Sequence, residues 1–198
     1  MKLVTSKLRE RVIAANLSDW PRILPTKHRA TPVGAGFGSS RYSSPISAFR
    51  VLYAAKDFST AFAEAVIRDR FEGRSQRYLY RPHLEQVCLT AISSSRELTL
   101  LDLRGAGTYE LGVDTDASRA RDHTIGQAFS QTLHDQLPDV DGILFDSRLT
   151  NSACVAIYDR AFSALSGTLP IGLSQVALLP AELTRLGITL RGKRGYAP

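Results

Sequence analysis

Gly36-Phe37-Gly38-Ser39-Ser40-Arg41-Tyr42, then Arg50-Val51-Leu52-Tyr53-Ala54-Ala55, then Asp57 through Phe71, is the stretch that decides how the chain is read. A glycine-rich loop ends in an arginine, a short apolar strand carries a tyrosine, and a helix carries a glutamate. Gly36 and Gly38 suit a backbone that approaches a ligand closely or takes positive φ. Arg41 follows directly, where a guanidinium grips an anion through two parallel hydrogen bonds. Val51-Leu52-Tyr53 is short, apolar and bounded by turn-like sequence, as buried strands are. Asp57 is an N-cap, and Phe58, Ala61, Phe62, Ala65 and Val66 recur at helical spacing behind it. Glu64 falls at the edge of that stripe among Ala61, Ala63 and Ala65, small neighbours that leave its carboxylate within reach.

Outward from this stretch, the chain has 198 residues, 43% of them hydrophobic and 8% aromatic, as one compact domain with a sizeable core requires. The expected span is a single domain over 1–198, with a helical lead-in over 2–20 and a weaker pattern from 160 onward. No run is apolar enough to cross a membrane, and the charged N-terminus has no signal-peptide core, so a cytoplasmic protein is expected. Cys88 and Cys154 lie in apolar strand-like runs and read as buried, reduced thiols. The net charge of +6 favours an anionic ligand or partner, either nucleic acid or an acidic protein segment. Arg191, Lys193 and Arg194 form the one basic cluster.

Further along, Arg22-Ile23-Leu24 reads as a strand stopped by Pro25, and Thr26–Ser47 as a long loop. A loop of that length inside a compact domain is usually functional. Arg70–Arg81 reads as a charged surface turn. Strands are expected over Leu84–Ile92, Glu97–Leu103, Ile143–Phe145 and Ala153–Tyr158, the last apolar throughout and so central. Gly105–Asp116 reads as loop and Ser118–Leu137 as a helix with Ile125, Phe129 and Leu133 on one face. Pro180–Leu186 suits a short helix and Ile188–Leu190 an edge strand. Many strands, few helices and antiparallel connections give an α+β fold.

Several motifs are set aside. Gly187–Lys193 resembles the start of a phosphate-binding loop, but Arg194 stands where Ser or Thr is required. Gly34-Ala35-Gly36-Phe37-Gly38 lacks the third spaced glycine of a dinucleotide fingerprint. His28, His83, His123 and His134 show no ligand spacing, so no metal is expected.

The ordered set Arg22, Arg41-Tyr42, Leu52-Tyr53 and Glu64, with Tyr53 eleven residues before Glu64, resembles the RES-domain toxins of bacterial toxin–antitoxin pairs. The resemblance implies a split β-sheet core similar to diphtheria-toxin-like ADP-ribosyltransferases. It also implies consumption of NAD by cleavage of the nicotinamide–ribose bond, with water, phosphate or a protein side chain as acceptor. Arg22 and Arg41 would hold the pyrophosphate, Tyr53 would stack on nicotinamide, and Glu64 would face the developing positive charge. Glu64, Tyr53 and Arg41 are thus the candidate catalytic residues. In Asp146-Ser147-Arg148-Leu149-Thr150-Asn151, Ser147 would contact the nicotinamide ribose or amide and Arg148 a phosphate. Thr124 is the second candidate for the ribose-contacting hydroxyl. An Xre-like helix-turn-helix antitoxin is the implied partner, with nucleic acid engaged only through it. Taken singly the residues have plainer readings: Glu64 and Arg68 as an exposed i,i+4 pair, Tyr53 as core, Arg22 paired with Asp19. The rival from another class is a basic nucleic-acid-binding protein or ribonuclease, whose binding would depend steeply on salt.

Overall fold

A computed structural model describes residues 4–68, 70–112 and 122–192. Eleven strands lie in three sheets among the described residues, and the α+β expectation holds. Strands β1 (Val12–Ala15), β3 (Val51–Ala55), β6 (Leu98–Asp102), β7 (Gly142–Asp146) and β8 (Ala153–Tyr158) form a five-stranded sheet in the order β1-β6-β7-β8-β3. Strands β2 (Trp20–Pro25), β5 (Val87–Ser94) and β10 (Ile171–Gly172) form a second sheet in the order β10-β5-β2, with β9 (Leu165–Gly167) also paired to β5. The third is a parallel pair, β4 (Tyr78–Tyr80) with β11 (Thr189–Arg191). Pairing is otherwise antiparallel except between β6 and β7.

The period-2 pattern sorts side chains between layers. In β3, Leu52 and Ala54 face an apolar layer shared with Trp20, Ile92, Leu98, Leu100, Val155 and Ile157, which joins the two larger sheets. On the outer face of the five-stranded sheet, Phe129, Leu133 and Leu137 of the long helix α5 (Thr124–Gln136) cover Tyr42, Phe49, Leu101, Ile143 and Tyr158. The side chains of Phe129 and Leu133 are wholly buried, as the 3.6-residue spacing predicts. Strand β8 lies between β7 and β3 and is buried at five of its six positions, the mark of an interior strand.

Several expectations are corrected. The lead-in is not one helix: α1 covers Thr5–Glu10, and Val12–Ala15 then pairs with β6, because two β-branched residues gain more from a sheet edge than from another helical turn. The charged region 70–81 contains β4, whose Leu79 is fully buried, and the strand expected from Leu84 begins at Val87, after the short helix α3 (Arg81–Glu85). Within 105–116, Gly107–Glu110 forms a short helix, α4. The helix expected from Ser118 begins at Thr124, residues 118–121 lying outside the described set. The short helix and strand expected near the C-terminal end are present, as α6 (Leu179–Arg185) and β11, anchored by Leu173, Val176, Leu179, Leu183 and Ile188 against Phe58, Phe62 and Leu84. Gly187 takes φ +63 and ends α6, with Ile188 N–H donating to the Leu183 carbonyl, a terminator rather than part of a phosphate loop. Neither Gly36 nor Gly38 takes positive φ, and a Cβ at Gly36 would meet nothing. Conformation therefore does not demand glycine at position 36.

Asp57 joins two distant segments. It caps α2 (Phe58–Phe62), accepting from Thr60 N at 2.8 Å and Thr60 Oγ1 at 3.1 Å. The same carboxylate accepts from Ser152 Oγ at 2.5 Å, and Thr60 Oγ1 meets Thr150 Oγ1 at 2.9 Å. The polar turn between β7 and β8 is thereby pinned to the start of the helix that bears Glu64.

Two stability outcomes follow. A Cβ at Gly142 would overlap the Ala156 carbonyl oxygen on the neighbouring strand, so Gly142→Ala should destabilise by about 2 kcal/mol or more in urea unfolding. Burial alone would raise the Asp57 pKa, but the bonds from Ser152 and Thr60 outweigh it and hold the carboxyl below its ordinary value. A depressed folded pKa contributes stability above the unfolded value near ~3.9 and loses it as pH falls through the folded one. Asp57→Asn should therefore be less stable than wild type by about 1 kcal/mol at pH 7, the gap closing below about pH 4.

Candidate functional site

Strands β2 and β3 are edge strands of different sheets, and a cleft of about 200 Å³ opens where they part. Arg22 and Ile23 line it from β2, and Tyr53, Ala54 and Ala55 from β3. The glycine-rich loop adds Ser40 and Arg41, the helix Ala61, Glu64 and Arg68, and the β7–β8 end Phe145, Asp146 and Arg148. Of the seven residues given a site role in the sequence, the cleft gathers five: Arg22, Arg41, Tyr53, Glu64 and Arg148. Ser147 touches it through Glu64, and Thr124 does not line it.

Glu64 stands on a π-helical segment, Ala63–Ile67, that continues α2, closed by Arg68 N–H donating to the Ala63 carbonyl at 2.8 Å. Such single wide turns recur at functional sites. The expected α-helix through Phe71 is to that extent corrected. One carboxylate oxygen, Oε1, accepts from Ser147 Oγ at 2.6 Å, a charge-assisted bond from a side chain only 1% exposed. The other, Oε2, lies 3.8 Å from Arg68 Nη1. Ser147 Oγ also accepts from the amides of Leu149 and Thr150 at 3.1 and 3.3 Å. Its one proton is committed to Glu64, so the geometry makes it first a support for that carboxylate. Thr124 is exposed, and its hydroxyl donates to Asp122 at 2.7 Å, as part of a helix start.

Tyr53 is fixed by its hydroxyl, which accepts the Tyr42 backbone N–H at 2.9 Å. Burial pushes its ionisation above the ordinary phenol range, so the ring is neutral at physiological pH. Tyr42 turns the other way, into the core, fully buried and edge-on to Phe145 with centroids 5.0 Å apart.

Four guanidinium groups line the cleft: Arg22, Arg41, Arg68 and Arg148. Arg22 does not pair with Asp19; its Nη2 donates to the Gly34 carbonyl at 2.8 Å, and its Nη1 is buried without a hydrogen-bond partner. Burial lowers the Arg22 pKa to about 10, leaving it a cation at neutral pH. A buried cationic N–H without an acceptor is costly, and an anionic ligand would relieve it. Arg41 is 5% exposed; burial lowers its pKa, and the guanidiniums of Arg148 and Arg68 push the same way while Glu64 opposes them. The i,i+4 contact of Glu64 with Arg68 exists, but it lies in the wall of the cleft rather than on an outer face. The sequence reading missed Arg68 as a cleft residue for that reason. It missed Cys154 too, a free buried thiol whose ionisation burial pushes far up.

Among the described residues, no group of three or more His, Cys, Asp or Glu is placed to hold a metal ion, and no helix is long and apolar enough to cross a membrane. The chemistry this arrangement supports is capture of an anion beside a flat ring and a fixed carboxylate.

The RES domain family matches residues 18–174, which include every residue of the cleft. A curated relative, "Probable toxin y4kH" of Sinorhizobium fredii (strain NBRC 101917 / NGR234), is 39% identical over 85 residues, 42% of this chain. The chain spans 65% of the length of that relative. A chain in the crystal structure of the M. tuberculosis MbcT–MbcA toxin–antitoxin complex superposes with a TM-score of 0.64 over 84% of this chain and 89% of its own. At 16% identity that likeness speaks to the fold alone. With 157 of its 198 residues covered (18 through 174), the chain belongs to the RES domain family.

Proposed function

We propose that the protein is a toxin that cleaves the nicotinamide–ribose bond of NAD and acts in the cytoplasm. The observation that carries the reading is a carboxylate, Glu64, fixed by Ser147 inside a cleft walled by four arginines and a neutral tyrosine ring. A dinucleotide brings what those groups accept: a pyrophosphate, a flat cationic ring, and a ribose whose C1′ becomes positive as the bond breaks.

In this reading Arg22 and Arg41 hold the pyrophosphate, with Arg148 at the exposed lip, and Tyr53 presents its face to the nicotinamide ring. As the C1′–N bond breaks, its electron pair leaves with nicotinamide and neutralises the pyridinium charge. The ribose is left oxocarbenium-like. Glu64, an acceptor only, draws the ribose hydroxyls toward itself and opposes that positive charge. A nucleophile then bonds to C1′ and gives up its proton; water, phosphate or a protein side chain completes the reaction. An Xre-like antitoxin is the proposed partner, supported by the family and by the toxin–antitoxin complex of the solved relative. The positive net charge suits an acidic segment of that partner laid across the cleft.

Incubation with NAD and measurement of free nicotinamide tests this reading. Wild type should release nicotinamide, and Glu64→Gln should lower kcat by about a hundredfold or more, since removing one preorganised transition-state contact costs about 3 kcal/mol. Equal release by that variant would overturn the assignment. Arg41→Ala should weaken NAD binding about ten- to a hundredfold in a calorimetric titration.

A further inference from the structure

At the rim of the cleft, His123 stands just before the first turn of α5 and touches two of the cleft's walls. Its Nδ1 lies 3.0 Å from the Ser39 carbonyl oxygen in the glycine-rich loop. A carbonyl only accepts, so Nδ1 carries the proton. The remaining nitrogen of a neutral imidazole, Nε2, is then an acceptor, and it lies 3.4 Å from Arg68 Nη2. Arg68 in turn reaches Glu64 through Nη1. Gln127, one turn along α5, donates to the Ser39 and Ser40 carbonyls at 3.1 and 3.2 Å, so the loop is held there without His123.

We propose that His123 is a positioning residue, which uses its Nε2 lone pair to hold the Arg68 guanidinium across the cleft as a further grip on the phosphates of the substrate. The inference rests on the reading of the cleft as a dinucleotide site. An arginine side chain left to itself samples many rotamers, and a ligand that must order it loses affinity. Between Glu64 and His123 the guanidinium is ordered in advance. Because Ser147 independently fixes Glu64, losing the histidine should disturb binding more than the chemical step.

Three variants separate the two ring nitrogens. His123→Gln carries an amide oxygen near the place of Nε2 and so keeps an acceptor for Arg68. His123→Asn carries an amide N–H near the place of Nδ1 and so keeps only the bond to Ser39. His123→Ala keeps neither. Steady-state kinetics with NAD should show KM raised about tenfold in the Ala and Asn variants, near wild type in Gln, with kcat within about twofold throughout. Rescue by Asn and not Gln would assign His123 to the loop and overturn the inference; so would an unchanged KM in all three.

Calorimetric titration of the same four proteins with inorganic pyrophosphate gives a readout that needs no turnover. Wild type and Gln should bind about tenfold tighter than Ala and Asn. If wild type releases no nicotinamide but that order holds, the NAD reading falls and the role of His123 stands. If wild type turns NAD over but neither KM nor pyrophosphate affinity follows the order, the role of His123 falls alone. Equal pyrophosphate affinity in all four proteins, or binding by none, overturns it whatever the turnover.

Discussion

A carboxylate placed among four guanidinium groups would swing onto the nearest of them unless something else held it. Ser147 does so, through a 2.6 Å bond to Glu64 Oε1 that leaves Arg68 at 3.8 Å from the other oxygen. Arg68 and Glu64 still form an ion pair, but a long one, and the short bond to Ser147 sets where the acid stands. Ser147 can do this because the turn that carries it is bound to the helix start by Asp57, Thr60, Thr150 and Ser152. The electrostatics of the cleft therefore depend on a small polar network that bears little charge of its own.

The sheets supply the space. Had β2 and β3 paired into one continuous sheet, Arg22 and Tyr53 would be neighbours on a closed surface. As edges of two sheets joined by an apolar layer, they diverge, and their side chains face each other across a gap. The helix that precedes Glu64 packs against both strands. Arg22 binds the Gly34 carbonyl and Tyr53 binds the Tyr42 amide, so two residues of the cleft also tie the loop down.

Much of this was legible in the chain, because the informative signals are local. The Asp57 cap, the alternation along β5, the Phe129–Leu133 stripe of α5 and the apolar run of β8 depend on neighbours in sequence, and they fold as their patterns require. What was hidden depends on partners far away. Val12–Ala15 is a strand because β6 is there to receive it, and Leu79 sits in the core because β11 returns more than a hundred residues later. In the cleft, the glutamate, the tyrosine and three of the four arginines (Arg22, Arg41 and Arg148) could be named from the chain. Arg68 could not, since an i,i+4 acid–base pair looks alike on any helix. The committed proton of Ser147 was equally invisible, because it is a contact between residues 83 positions apart.

The π-helical segment under Glu64 carries an evolutionary corollary. A wide turn holds one residue more than the α-helical ladder needs, so it behaves as an insertion that the fold has kept. Deleting one residue from Ala65 to Ile67 would put Arg68 four positions after Ala63, so the bond between them would become an ordinary α-helical one and Arg68 would keep its place in the cavity wall. Descendants that shed the surplus residue would then retain both charges and lose only the wide turn between them. The length of this segment would vary more freely than the pair of charges at its two ends.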